Sequence, residues 1–158
     1  MGAAARLAAL GLELPAVAPP VAAYVPAIRT GAYVYTSGQL PFVAGALPAT
    51  GTVGAQVSPD DATGYARTAA LNALAAVAGL LGGGADALDS IVRVVKVVGF
   101  VASDPSFTGQ PGVVNGASLL LHEVLGDAGV HARSAVGVAV LPLDAPVEVE
   151  IVVELASA

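Results

Sequence analysis

The chain has 158 residues, of which 56% are hydrophobic and only 11% charged, and its formal net charge is −6. A domain of this length buries roughly 70% of the surface its unfolded chain exposes, so it can hold a core without metals or disulfides. With no cysteine it has no disulfide framework, thiolate metal site or thiol nucleophile. Its six basic residues stand singly and do not form the clustered patch that a nucleic-acid backbone demands.

Charged residues fall well below the ~25% of ordinary soluble domains, so part of the surface is expected to be buried between subunits. The opening MGAAARLAALGLELP does not read as a signal peptide, because its apolar run is short and carries Arg6, with Glu13 close behind. Gly2 does not open a myristoylation motif, since position 6 is arginine. The most apolar long stretch, Thr68 to Ala85, holds Asn72 and is mostly alanine and glycine. A membrane span needs about 20 strongly apolar residues. The expectation is one cytoplasmic domain over residues 1–158, with 1–20 as an N-terminal extension and no membrane contact.

In chain order, residues 3–10 suit a short helix stopped at Gly11, and PAVAPP (15–20) a stiff, extended lead-in. AYVPAIRTGAYVYTSGQLPF reads as two strands with a turn at Thr30-Gly31, since Tyr33 and Tyr35 alternate with Val34. Residues 44–56 show little periodicity. A helix then starts at Ser58, a good N-cap, followed by Pro59 and by Asp60 and Asp61 at the positive end of the dipole. Leu71, Leu74, Ala78 and Leu81 form its apolar stripe, and the glycines from Gly82 end it. SIVRVVKVVGFVAS (90–103) is a strand, QPGVVNGASLLLHEVLG (110–126) a second helix, and 133–140 and 147–155 are two strands around LPLD. The order is β-β-α-β-α-β-β, an α+β domain whose mixed sheet carries both helices on one face.

If the last two strands form an antiparallel hairpin centred near Leu143-Asp144, Ser134, Val136, Val138 and Val140 share a helix-packed face with Val147, Val149, Ile151 and Val153. Arg133, Ala135, Gly137 and Ala139 then stand on the helix-free face beside Glu148, Glu150 and Glu154. Small neighbours leave room beside the guanidinium for a ligand. The plainer alternative is a sheet-surface arginine paired with Glu154.

TSGQLP (36–41), VNGASLLLHEVLG (114–126), ARSAVGVAVLP (132–142) and VEVEIVVEL (147–155) together resemble the RidA family, also called YjgF or endoribonuclease L-PSP. The likeness runs from about Tyr24 to Leu155. It implies a chorismate-mutase-like α+β fold and a homotrimer with sites in clefts between subunits. The activity it implies is hydrolysis of reactive 2-imino and enamino acids, made by pyridoxal-phosphate enzymes, to 2-keto acids and ammonia. By the same resemblance Arg133 is the substrate-carboxylate arginine and Glu148 the water-positioning glutamate. Tyr24, Ser37, Gly38 and Asn115 match the family's substrate-binding positions, and Ala135 lines the same site. Many relatives carry cysteine where this chain has Ala135, and often glutamate where it has Gly137.

The chemistry suits these residues. Arginine's fork of N–H donors matches a planar carboxylate bidentately, which lysine cannot do. Glu148 could then orient or deprotonate a water for attack on the adjacent carbon, with no metal or organic cofactor. In the hairpin register Glu148 lies opposite Ala139, six residues from Arg133. That is roughly 20 Å along the strands, so a shared substrate would need Glu148 from a neighbouring subunit.

Ser37 as a nucleophile lacks a G-x-S-x-G elbow and a matched histidine. His122 and His131, nine residues apart, do not make a metal signature. The glycines at 82–84 follow a helix and so do not cradle phosphate. The competing function is a small-carboxylate-binding or regulatory trimer without turnover, which the changes at 135 and 137 keep open. A ribonuclease is disfavoured by the acidic charge.

Overall fold

The helix layer is built from small residues packed close. In the computed structural model, which describes residues 1–17, 19 and 22–157, the long helix α2 spans Pro59–Leu81. The Ser58 hydroxyl accepts the Asp61 N–H at 3.1 Å, and Gly82 closes the helix at φ 79°, donating to the Ala78 carbonyl. Only glycine takes that left-handed cap without cost. Of the expected stripe, Leu74 and Ala78 are buried, while Leu71 and Leu81 are partly covered. Alanines dominate the packed side, among them Ala62, Ala66, Ala69, Ala70 and Ala73. They let α2 approach α3 (Gln110–Leu125) so closely that a Cβ at Gly116 would strike the Thr63 carbonyl. A short helix, α1 (Ala3–Ala9), buries Ala3 and Leu7 against this layer, and the Asp89 carboxylate accepts the Ala3 N–H at 2.5 Å. The extended lead-in at 15–20 falls in part outside the described residues, at Ala18 and Pro20.

Five strands form one sheet in the order β1-β2-β5-β3-β4: β1 (Ala27–Thr30), β2 (Tyr33–Thr36), β3 (Ile91–Ala102), β4 (Ala132–Val138) and β5 (Val147–Leu155). β1 and β2 make the expected hairpin, turning at Gly31 with φ 57°. The expected hairpin of the last two strands does not form. β4 pairs parallel with β3 at the sheet edge, and β5 runs antiparallel between β2 and β3. Residues 139–146 arch over the end of β3, where the Ala102 N–H reaches the Pro146 carbonyl and the Ser103 N–H the Val138 carbonyl. The physical cause is the valine run of β3. A near-continuous apolar strand is suited to a central position, with neighbours on both edges, and β3 takes it.

The helix-covered face of the sheet carries Val34, Val97, Val101, Val147, Val149, Ile151 and Val153, all essentially inaccessible. Gly99 faces the same way, against Val114 of α3. The other face is uncovered and partly apolar, with Ile28 59% exposed opposite Tyr35 at one edge and Val136 43% exposed at the other. Among the described residues, no single helix is long and apolar enough to cross a membrane.

Candidate functional site

Side-chain parity follows from register, and the parallel β3–β4 pairing reverses the face assigned to β4. Arg133 stands opposite Val97, Ala135 opposite Gly99 and Gly137 opposite Val101. All three therefore look toward the helices, and Ser134, Val136 and Val138 look outward. Lys96 confirms the outward side by donating to the Ser134 hydroxyl at 3.1 Å. The glutamates of β5 remain on the open face, since their neighbours Val147, Val149, Ile151 and Val153 are buried. An Arg133–Glu154 pair is not formed, because Glu154 lies opposite Tyr33 and Arg93.

Arg133 is held under α3 by three bonds. Its Nη1 donates to Asn115 Oδ1 at 2.9 Å and Ser118 Oγ at 3.2 Å, and its Nη2 donates to the Pro111 carbonyl at 2.9 Å. Positions 111, 115 and 118 recur at helical spacing, so one face of α3 supplies all three acceptors. A guanidinium has five N–H donors. These bonds use both on Nη1 and one on Nη2, which leaves Nε–H and the second Nη2–H for a ligand. Beside the arginine the strand is bare: Ala135 is small, and a Cβ at Gly137 would press on the Gln110 amide. Gln110 is itself tied to Ser103 Oγ and the Phe107 carbonyl.

Two polar residues of this cluster were not singled out from the sequence as part of a site. Ser118 Oγ lies 2.8 Å from His131 Nε2, and His131 Nδ1 lies 2.6 Å from the Gly129 carbonyl. The signal for both was spacing: Ser118 is three residues after Asn115 on the helix, and His131 is two before Arg133 on the strand side. Burial holds the His131 pKa below its ordinary value and the Arg133 charge adds to this, while the Gly129 bond opposes them.

Glu148 belongs to a separate cluster. Regular β2–β5 pairing ends at Tyr35 opposite Val152, and resumes as Gln39 opposite Val149. Four residues on one strand oppose three on the other, so β2 carries one extra residue, a bulge. The Thr36 hydroxyl fills the break by accepting the Ile151 N–H at 3.0 Å. Ser37 is turned away, its hydroxyl donating to the Val25 carbonyl at 2.7 Å and its N–H to the Pro26 carbonyl at 2.8 Å. Tyr24, 44% exposed, leads directly into those bracing residues. The Glu148 carboxylate lies where a side chain at Gly38 would have to stand. Burial raises its pKa above the ordinary carboxylate value, and neighbouring Glu150 raises it further. Asn72, buried in α2, donates to the Leu40 and Phe42 carbonyls at 2.9 and 3.1 Å and so pins the loop after the bulge.

The fold thus brings Asn115 and Ala135 to Arg133, and Gly38 to Glu148, while Ser37 braces the Val25-Pro26 segment instead. It does not bring Arg133 to Glu148. Arg133 pairs with Val97, and Glu148 with Phe100, on opposite faces of β3. Three residues along and two strands across put their backbones about 14 Å apart, in place of the ~20 Å of the hairpin register. Among the described residues no three His, Asp or Glu side chains converge as a metal site would require.

A five-stranded mixed sheet backed on one face by two helices, with β3 between the last two strands, defines a chorismate-mutase-like α+β domain. The family described as "YjgF/chorismate_mutase-like, putative endoribonuclease" matches residues 4–155, and the chain belongs to that family. It is 45% identical to Protein TCP17 of Trypanosoma cruzi over 155 residues, covering 96% of this chain and 93% of that one. The crystal structure of Atu1372 from Agrobacterium tumefaciens, described as of unknown function, is 46% identical. It superposes with a TM-score of 0.89, covering 98% of this chain and 92% of that one. A structure from Shewanella oneidensis described as a putative endoribonuclease is 34% identical, with a TM-score of 0.93, covering 98% and 100% of the two chains.

Proposed function

We propose that the chain is a hydrolytic deaminase of reactive 2-imino and enamino acids, acting as a homotrimer in which the Arg133 cluster of one subunit meets the Glu148 cluster of the next. The observation that carries this reading is the arginine. Its guanidinium is immobilised by Asn115, Ser118 and the Pro111 carbonyl, yet keeps two N–H donors, and the residues that follow it on the same face of β4, Ala135 and Gly137, are small. An open, partly apolar sheet face on a chain with so few charges supports self-association.

In the reaction Arg133 holds the substrate carboxylate bidentately and so fixes the imine carbon next to it. Glu148, whose proton affinity is raised, takes a proton from water as the water oxygen bonds to that carbon. Glu148 passes that proton to nitrogen, giving a carbinolamine. It then takes the carbinolamine hydroxyl proton and delivers it to the same nitrogen as the C–N bond breaks and C=O forms, so that ammonia and a 2-keto acid leave. An enamine first gains a proton at carbon and releases one from nitrogen to become the imine.

A second reading is favoured by Ala135 and Gly137, which place no reactive group beside Arg133: a trimer that binds small carboxylates without turning them over. Ribonuclease activity finds no support in six scattered basic residues on an acidic chain. The test is to generate 2-aminoacrylate and longer imino acids in situ with a dehydratase or an amino-acid oxidase, and to follow their loss. Faster loss that Arg133→Ala abolishes is the expected result. No acceleration across small, aliphatic and aromatic imino acids would leave the binding reading, and a fully active monomer would sink the shared site.

A further inference from the structure

We infer that His131 is a positioning residue: it accepts the Ser118 hydroxyl proton, turns a Ser118 lone pair toward Arg133, and so fixes the guanidinium for its ligand. The inference rests on the carboxylate-binding reading of Arg133.

The direction of each bond follows from its partners. A carbonyl can only accept, so the ring nitrogen 2.6 Å from the Gly129 oxygen, Nδ1, carries the hydrogen. In the neutral ring Nε2 is then bare, and the Ser118 hydroxyl 2.8 Å away must donate to it. The Ser118 oxygen is left to accept Nη1–H of Arg133 at 3.2 Å. The result is a one-way chain from Arg133 through Ser118 to His131, anchored on backbone. Serine and threonine within helices tend instead to donate to the carbonyl four residues back. Thr63 does so to Pro59, and Thr68 to Gly64. Ser118 departs from that habit because His131 offers it a stronger acceptor.

The surroundings keep the ring neutral. Arg133 is two residues along the chain, and His131 lines a cavity of about 490 Å³ together with Arg93 of β3 and Asp127 of the preceding turn, whose carboxylate is not among the groups that shift the ring's titration. From α3 the contact is the neutral Ser118, since His122 is turned to the Gly126 carbonyl. Burial and the Arg133 charge both disfavour a second cation there.

The test uses the full chain labelled with 15N-histidine, which holds two histidines, and pyruvate as the carboxylate probe. His131, assigned by its loss in His131→Gln, should show a protonated Nδ1 and a bare Nε2, and Ser118→Ala should shift only that Nε2 signal. Ser118→Ala and His131→Leu should each weaken pyruvate binding about five- to tenfold, with the kinetic loss falling on KM. The double variant should bind no more weakly than either single. His131→Gln, whose amide oxygen can accept from Ser118, should restore affinity to within about twofold. Additive losses, unchanged binding in both single variants, or a bare Nδ1 would overturn the inference. If His131→Leu fails to fold, Ser118→Ala, His131→Gln and the 15N spectrum still decide. Undiminished pyruvate binding by Arg133→Ala would instead overturn the carboxylate reading, and the spectrum would still report the bond directions by themselves.

Discussion

Arg133 and Glu148 occupy opposite faces of one sheet, separated by β3, which pairs with the strand of each. No rotamer change can bring them onto one small substrate within a chain. Any reaction that uses both must draw them from two subunits.

Complementation tests this directly. On the proposed trimeric reading, the Arg133→Ala and Glu148→Gln variants should each lose at least about 100-fold in kcat/KM. Mixed by co-expression at equal ratio, they should regain about a quarter of wild-type activity, because each site needs an intact arginine from one chain and an intact glutamate from its neighbour. An active-site titration of the mixed trimers, alongside steady-state rates, checks this. No recovery would place both residues in one subunit's site or remove one of them from the chemistry.

Gly38 is the residue that makes room for the Glu148 carboxylate. Gly38→Ala should leave the bulge and overall fold intact while displacing the glutamate. The expected effect is a fall of roughly tenfold or more in kcat with a smaller change in KM, since displacement affects water activation more than carboxylate binding. Steady-state kinetics, with circular dichroism as the folding control, measures it.

The raised pKa of Glu148 makes a pH-dependent stability claim. Folding raises the proton affinity of this carboxylate, so the ionised form is disfavoured in the native state. Its native state is therefore unburdened below the ordinary carboxylate pKa and loses stability as pH rises through the higher native value. Glu148→Gln, which cannot ionise, should melt on the order of 2 °C higher than wild type near pH 8, and no higher near pH 4. The shift is small because the side chain is only half-buried and water screens much of its charge. Calorimetric scans at both pH values decide it, and an equal shift at pH 4 would assign the gain to packing.

The closeness of α2 and α3 depends on Gly116, where a Cβ would meet the Thr63 carbonyl. Gly116→Ala forces the helices apart and should cost about 2–3 kcal/mol, or roughly 4–12 °C in Tm for a chain of this size. Urea denaturation measures the loss. Because Asn115 sits next to the contact, weakened carboxylate binding should accompany it.

How much of this was legible beforehand depended on the range of the interaction. The caps of α2 at Ser58 and Gly82 and the turn at Gly31 are set by residues within one helical turn, and they stand where the sequence places them. The pairing of β4 is decided by β3, about thirty residues earlier, and local alternation cannot reveal that partner. Taking the nearest strand in sequence as the partner inverted every side chain of β4, Arg133 included. The valines at 136 and 138 misled for a related reason. Apolar residues on a strand need not point to the domain's own core when the opposite face is also apolar. The Ser118–His131 pair was hidden because neither residue is unusual alone, and only the helix laid across the strand makes them neighbours.

The arch of residues 139–146 joins two strands that are not paired with each other. In a hairpin, adding a residue to the turn shifts one strand past the other and inverts its faces. Here β4 takes its alignment from one edge of β3 and β5 from the other, so the length of the arch sets neither. Ala139 and Val140, both exposed, are therefore where the chain should accept a spectroscopic tag or a short inserted peptide without disturbing either half of the site.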